Sequence, residues 1–538
     1  MANDQREARI VDLDSEDGEV EPGMLSMPGP SRAQFLIGFV VVAAAAALAF
    51  GPLGVGHGQL GRSAAPTASR PAVAPPVVAP SPYAVTVTPP PPASLGPLTK
   101  PGAVPDGWPV SLDSTGSVSV GPDGTVYLGH QAALDAGGRP RTGWLTLPDG
   151  TQTTPCAYGS DGTIYAETVQ QSRIRDIWIF GPDGKLRMSS PVEVAEYSQV
   201  VPGPGGSVYF VEPQYGDAAA STIQIVAPNG SGAAIVTPGS AVGGVVAGDG
   251  TIYITLLPNQ MESTGLSLRI LGPNGAQVGS DSEPVYWGTA LAPDGTPYAW
   301  GYEPGSAPGV VVRSRIAAFD QGGKPKPGWP AIFEFGVSAP AFGPDGTVYM
   351  AALDSTVIAL GPDGVTRAGW PVALPSGDQP FPGTLALGSL IPQPPIVDDR
   401  GRVYVAGKNL QGQATLTAID RSGKTPNGWP LTFDSYPAAG GGDYGFGPSP
   451  VTEPVLVRMP SGRGRIYMAL NDEIAAIDES GKPVPQWQVG LPGIGDSWYG
   501  IWATPDGGLV VAVAQGSVDY GVVLQQILRF TPEGQVSL

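Results

Sequence analysis

From residue 107 onward, short runs of apolar residues, many alternating with polar ones, are separated at regular intervals by Gly- and Asp-rich turns. One recurring segment is a turn that runs into a strand: GPDGTVY at 121–127, GSDGTIY at 159–165, GPGGSVY at 203–209, AGDGTIY at 247–253 and APDGTPY at 292–298. It continues as GPDGTVY at 343–349, DDRGRVY at 398–404, SGRGRIY at 461–467 and TPDGGLV at 504–510. Pro fixes φ and Gly supplies the positive φ of a tight turn. The β-branched residue and Tyr that follow then open a strand.

A second segment lies between those turns. It reads ALDAGGRPRTGW at 133–144, AFDQGGKPKPGWP at 318–330, ALGPDGVTRAGWP at 359–371, AIDRSGKTPNGWP at 418–430 and AIDESGKPVPQW at 476–487. Weaker copies are WIFGPDGK (178–185), IVAPNG (225–230), RILGPNG (269–275) and RFTPEGQ (528–535). One copy of each segment supplies four strands in roughly 45 residues, the size of a propeller blade. Spacings between the signature tyrosines run 38, 44, 44, 45, 51, 55 and 63, so the later units carry longer connections. The expected fold is all-β: a β-propeller over 107–538. Nine units can be counted, but closed rings usually have four to eight blades. About eight four-stranded blades are therefore expected, within a range of seven to nine. Asp106-Gly107-Trp108-Pro109 reads as the tail of a second segment, so the first and last parts of the body are expected to share a blade.

The second segment resembles the pyrroloquinoline-quinone-like (PQQ-like) propeller repeat, with its Ala-x-Asp-x-x-x-Gly-Lys-x-x-Trp pattern. Ala418, Asp420, Gly423, Lys424 and Trp429 match it, as do Ala318, Asp320, Gly323, Lys324 and Trp329, with the Trp displaced a few residues onward. The resemblance implies the fold, not the quinone. Quinone-dependent dehydrogenases of that family typically use adjacent cysteines, a calcium site and a catalytic Asp. This chain has only Cys156, and no calcium ligand set can be matched. A membrane-anchored protein that is not a quinoprotein is expected.

Upstream of the repeats the pattern changes three times. Residues 1–33 are polar and acidic, with eight Asp/Glu against three Arg, and read as a disordered tail. Residues 34–56 contain an uncharged apolar run from Phe35 to Val55, long enough to cross a bilayer core of about 30 Å. Its long acidic approach differs from the short basic start of a cleaved signal peptide, so an uncleaved anchor is expected. Residues 57–106 form a Pro/Ala-rich linker that favours extended backbone and suits a spacer. The expected topology is single-pass, with the N-terminus cytoplasmic and the propeller outside the cytoplasm. Flanking charges (Arg32 against Arg62 and Arg70) set almost no bias, so orientation rests on the spacer.

Charge and composition then narrow the chemistry. Net charge is −19, and from Gly107 onward 22 basic residues face 38 acidic ones, which disfavours nucleic acid as a partner. Two histidines, His57 and His130, and one cysteine leave no zinc set and no marked catalytic triad. No cofactor, metal or catalytic residue is assigned. The repeated Asp-Gly pairs have hairpin spacing, and the repeated Trp and Tyr residues hold fixed positions that suit packing between blades.

The connections distinguish the two faces of the disc. Both recurring turns join consecutive strands within a blade and emerge on one face. The variable connections (212–222, 256–266, 301–312, 375–394, 434–454 and 514–522) emerge on the other. Asp443, Tyr444, Phe446, Trp498 and Tyr499 place aromatics beside acids there and are the candidate binding residues. The expected function is a non-catalytic binding or scaffold module for a protein or glycan partner. The alternative is a carbohydrate hydrolase or lyase with two carboxylates in the central channel, about 5 to 9.5 Å apart.

Overall fold

The computed structural model describes residues 85–87, 110–111 and, with interruptions, 118–532. The acidic tail and the apolar run at 34–56 lie outside the described residues. Among the described residues no helix is long and apolar enough to cross a membrane.

Among the described residues, the regular elements apart from a 3-10 turn at Pro204–Gly206 are all strands. Blade 6 shows the plan. Ala341–Phe342, Val348–Ala351, Thr356–Leu360 and Val372–Ala373 form one antiparallel sheet in chain order. The first recurring turn joins strands one and two, and the second joins strands three and four. The same arrangement recurs in blade 2 (154–195), blade 3 (199–238), blade 4 (240–281), blade 5 (288–333) and blade 8 (455–490). Blade 1 (118–147) has three strands in its sheet. Blade 7 (379–433) has an interrupted first strand and a further outer strand.

Among the described residues nine blades form, one for each copy of the first recurring turn, at the upper end of the expected seven to nine. The usual upper size of closed rings was a poorer guide than the repeat count. Blade 9 takes its first three strands from the C-terminal end, Ser497–Ala503, Leu509–Ser517 and Gly521–Phe530, and its fourth from Val110–Ser111. Val110 pairs with Ile527 and Ser111 with Gln526. The two ends of the body therefore share a blade, as the Asp-Gly-Trp-Pro remnant at 106–109 implied.

Middle strands are apolar at nearly every position because both of their faces are covered by neighbouring blades. Val348 and Met350 join the core shared with blade 5, while Tyr349 and Ala351 join the core shared with blade 7. This is the two-residue alternation of a strand serving two interfaces. Nine such cores are described, each spanning two adjacent blades. One of them joins Val510, Ala512 and Ile527 of blade 9 to Val126, Leu128 and Leu134 of blade 1, which closes the ring. Each fully buried large side chain contributes about 1.5–3 kcal/mol relative to exposure, so cohesion is spread around the ring.

The polar residues of the repeats hold the turns. In the first turn, Asp123 Oδ1 accepts from the Thr125 amide at 3.1 Å and Oδ2 from its hydroxyl at 2.8 Å; Asp161 and Thr163 repeat this. In the second, Asp420 Oδ1 accepts from the amides of Ser422 (2.8 Å) and Lys424 (3.0 Å), as Asp320 and Asp478 do at their own turns. Gly364 at φ +75° and Gly328 at φ +87° lie backbone to backbone where blades 5 and 6 meet, leaving no room for a Cβ.

The tryptophans dock blade to blade. Trp329 Nε1 donates to the Pro362 carbonyl (3.0 Å), Trp370 to Arg421 (3.3 Å) and Trp487 to Pro532 (2.8 Å), each acceptor lying in the second turn of the next blade. These three rings and that of Trp429 each pack on the signature Tyr of their own blade, with centroids 4.7–5.6 Å apart. The signature tyrosines reach across as well: Tyr165 Oη donates to the Gly206 carbonyl, Tyr253 to Asp320 and Tyr467 to Gly507. The expectation that Trp and Tyr serve packing between blades holds for these residues.

Candidate functional site

Strand order fixes which connections share a face. Turns one-to-two and three-to-four emerge together, and connections two-to-three and four-to-one emerge opposite them. The recurring-turn face is occupied by its own bonds. Besides the Asp-centred turns, Arg141 donates to Asp123 at 2.7 Å, and Arg367 donates to the Thr347 hydroxyl at 3.0 Å with Asp345 at 3.6 Å. Arg529 Nη2 reaches Asp506 at 2.5 Å. Asp345 and Asp506 sit below the ordinary carboxylate range: burial, which raises them, is outweighed by hydrogen bonds and by the facing guanidiniums. Their carboxylates are committed to the repeat.

The opposite face carries the connections of variable length. Of the candidate binding residues, Asp443, Tyr444 and Phe446 lie outside the described residues. Trp498 and Tyr499 fall within the strand Ser497–Ala503, opposite Ala514 and Val513. Strand-forming aromatics at 498–502 continue the sheet, so these two belong to the first strand of blade 9 and not to a loop.

Two residues on this face had no signal in the sequence beyond their hydrophobicity. Leu353 is 43% exposed and Leu410 76% exposed, at the tips of the two-to-three hairpins of the adjacent blades 6 and 7. Each sits in a tight polar turn: Asp354 Oδ1 accepts from the Thr356 amide, and Asn409 Oδ1 from the amides of Gln411 and Gln413. Rigid turns thus hold two large apolar side chains out to solvent. Short connections of this kind do not stand out in a reading that looks for long insertions.

Between blades 6 and 7 the insertion at 375–394 interrupts a first strand. Gln379–Pro380 and Ile396–Val397 pair with the same strand, Val403–Lys408, and a small hairpin pairing Pro382–Gly383 with Ile391–Pro392 lies between them. The insertion therefore leaves and rejoins the axis-facing edge of blade 7. Its flanks carry buried polar side chains. Asp378 is 5% exposed, and its carboxyl is pushed up to about 6 by burial, opposed by a hydrogen bond with the Thr415 side chain. Gln393 is 9% exposed, and its Oε1 has no partner among the described residues.

First strands of neighbouring blades lie against one another around the axis. None of them contains Asp or Glu: VSV, TPCAY, QVVP, SAVGGVV, GTAL, AF, QP with IV, VLVR and SWYGIWA. The pair of convergent carboxylates that carbohydrate hydrolysis needs is therefore not supplied by the axial strands. Among the described residues no group of three or more His, Cys, Asp or Glu could hold a metal ion. Cys156 Sγ lies 3.4 Å from the Tyr165 carbonyl, and its thiol is pushed up to about 12 by burial, away from nucleophilic chemistry.

No known family profile and no curated protein matches the chain. Solved structures with a similar chain path include apo AztD from Citrobacter koseri, at 13% identity over 70% of this chain and 94% of that one, with a TM-score of 0.38. BamB from Moraxella catarrhalis is 14% identical over 71% of this chain and 95% of its own, with a TM-score of 0.37. A eukaryotic initiation factor is 11% identical over 76% and 92%, with a TM-score of 0.49. These are likenesses of fold alone. The class defined by the fold itself is the nine-bladed β-propeller.

Proposed function

We propose that this chain is a membrane-tethered propeller, held outside the cytoplasm, that binds a protein or glycan partner on the face carrying its variable connections. The observation that carries this reading is the asymmetry of the two faces. One is consumed by the same Asp, Arg and Thr bonds in blade after blade. The other collects the connections that differ between blades, together with the outward-held Leu353 and Leu410. Apolar side chains fixed on rigid turns favour binding, because little rotational freedom is lost when a partner covers them. The tether and its direction are supported by the apolar run at 34–56 and the Pro-rich spacer that follows it.

The test is recovery of partners from the envelope fraction by the full chain. Variants are Leu353→Asp with Leu410→Asp, and separately replacement of 437–450 by Gly/Ser, against Val365→Asp on the recurring-turn face. Loss of the same bound species in the first two variants and retention in the third is expected. Retention in all three would overturn the assignment of the face. Protease treatment of intact cells, with a tag at the N-terminus, tests the topology separately: the propeller should be cut and the tag protected.

A further inference from the structure

Within the Pro-rich linker one stretch differs from the rest. Tyr83-Ala84-Val85-Thr86-Val87-Thr88 lies between Pro82 and Pro89, and its β-branched residues suit a strand better than polyproline backbone. Val85–Val87 indeed runs as a strand, parallel to Leu431–Phe433, the outer strand of blade 7. Val85 stands opposite Leu431, Thr86 opposite Thr432 and Val87 opposite Phe433. Among the described blades, blade 7 alone is extended outward by a further strand.

The outer strand of any blade is a sheet edge, a row of amides and carbonyls open to pairing. The edge of blade 7 is also the better covered. Leu431, Thr432 and Phe433 are 0%, 9% and 3% exposed, whereas Ile332, central in the outer strand Ala331–Phe333 of blade 5, is 51% exposed. An extended segment added to such an edge binds through main-chain hydrogen bonds, and the edge needs only a β-prone, proline-free partner. In 57–106 the residues 83–88 meet that description.

We propose that the outer edge of blade 7 is a strand-acceptor site whose resident is the chain's own linker segment Val85–Val87. The linker then has two legs. Residues 88–109 run from blade 7 to the closing strand Val110–Ser111 of blade 9, and extended they reach roughly 70 Å. Packed sheets lie about 10 Å apart, so two blades are crossed with slack. Only residues upstream of Val85 remain as free tether, and the ring is held at blade 7 instead of swinging from blade 9. This holds whether or not residues 34–56 cross a membrane.

Disulfide trapping in the full chain tests it. Neighbouring strands at about 4.8 Å place opposed Cα atoms within disulfide reach. The cysteine pairs are made in a Cys156→Ala background, which removes the chain's one native thiol. Under mild oxidation Thr86→Cys with Thr432→Cys should close an intramolecular bond at least about tenfold faster than Thr86→Cys with Ile332→Cys, since a docked segment far exceeds the local concentration of a tethered coil. Adding Val85→Pro and Val87→Pro removes amide donors of the strand and should return the rate to that of the control. Equal rates for the two pairs, or a fast rate that survives both prolines, would overturn docking as a strand. Disulfide-linked dimers without the intramolecular product would place the segment on a second copy and overturn the assignment in cis.

Discussion

Trp429 breaks the pattern set by its counterparts, and the reason leads to a quantitative prediction. By analogy with Trp370 and Trp487, its acceptor should be the Glu479 carbonyl, the second residue of the next turn. That carbonyl is engaged by the guanidinium of Arg402, while Arg400 pairs with the Glu479 carboxylate at 2.7 Å. Trp429 is 2% exposed, and its Nε1 has no partner among the described residues. Arg402 occupies the position that is Thr in five of the other turns (Thr125, Thr163, Thr251, Thr296 and Thr347). Trp487→Phe should cost about 1 kcal/mol in packing and about 1 kcal/mol for the lost hydrogen bond. Trp429→Phe incurs the same packing cost but removes an unsatisfied buried donor, a relief of about 1–3 kcal/mol. The two variants should therefore differ by about 2–4 kcal/mol. With about 2.1 cal/mol/K of unfolding entropy per residue, that is about 2–4 °C in the thermal midpoint of a ring of this size. Calorimetry of both variants reads it. Restoring Thr by Arg402→Thr frees the carbonyl, so Trp429→Phe in that background should cost about 2–4 kcal/mol more than in the native chain. If Trp429→Phe lowers the midpoint as much as Trp487→Phe, and Arg402→Thr changes nothing, the account of Trp429 is refuted.

Two further outcomes follow from the geometry. Gly328→Ala drives a Cβ into the Asp363 carbonyl of the next blade, whereas Gly143 has a similar φ of +75° with open space around it. Thermal melts should show Gly143→Ala costing about 1–2 kcal/mol and Gly328→Ala several times more; equal losses would contradict the close approach. Asp378 has its folded pKa raised to about 6, so the folded state holds its proton more tightly than the unfolded one. Its contribution is then most favourable below about pH 4, declines as pH rises from about 4 to 6, and remains a penalty of at most about 3 kcal/mol above that. Asp378→Asn should stabilise the protein at pH 7 and flatten the change between pH 4 and 6 in denaturant melts; an unchanged pH profile would refute the assignment.

The fold was legible because its information is local and repeated. The turn Asp and Gly residues, the β-branched starts and the signature Tyr and Trp each act within a blade or on the next one, so one unit read correctly gives all of them. Ring closure was legible for the same reason, since the Gly-Trp-Pro remnant at 107–109 marks a missing fourth strand. Blade number was drawn toward eight because the usual range of ring sizes was set against the repeat count. The face that collects the variable connections was legible as a topological consequence, but the side chains it exposes were not. Exposure of Leu353 and Leu410 depends on how tightly their hairpins turn, and Trp498 and Tyr499 pass for loop residues until the pairing of Ser497–Ala503 is known. The strand at Val85–Val87 was hidden by the proline content around it.

The claim that one face is the binding face is tested most directly by photo-crosslinking in cells. A photoreactive residue replaces Leu353 or Leu410 on one face, and Val365, 61% exposed, on the other. The account predicts one shared crosslinked species from positions 353 and 410 and none from 365. Crosslinks from 365 alone, or equally from all three, would contradict it.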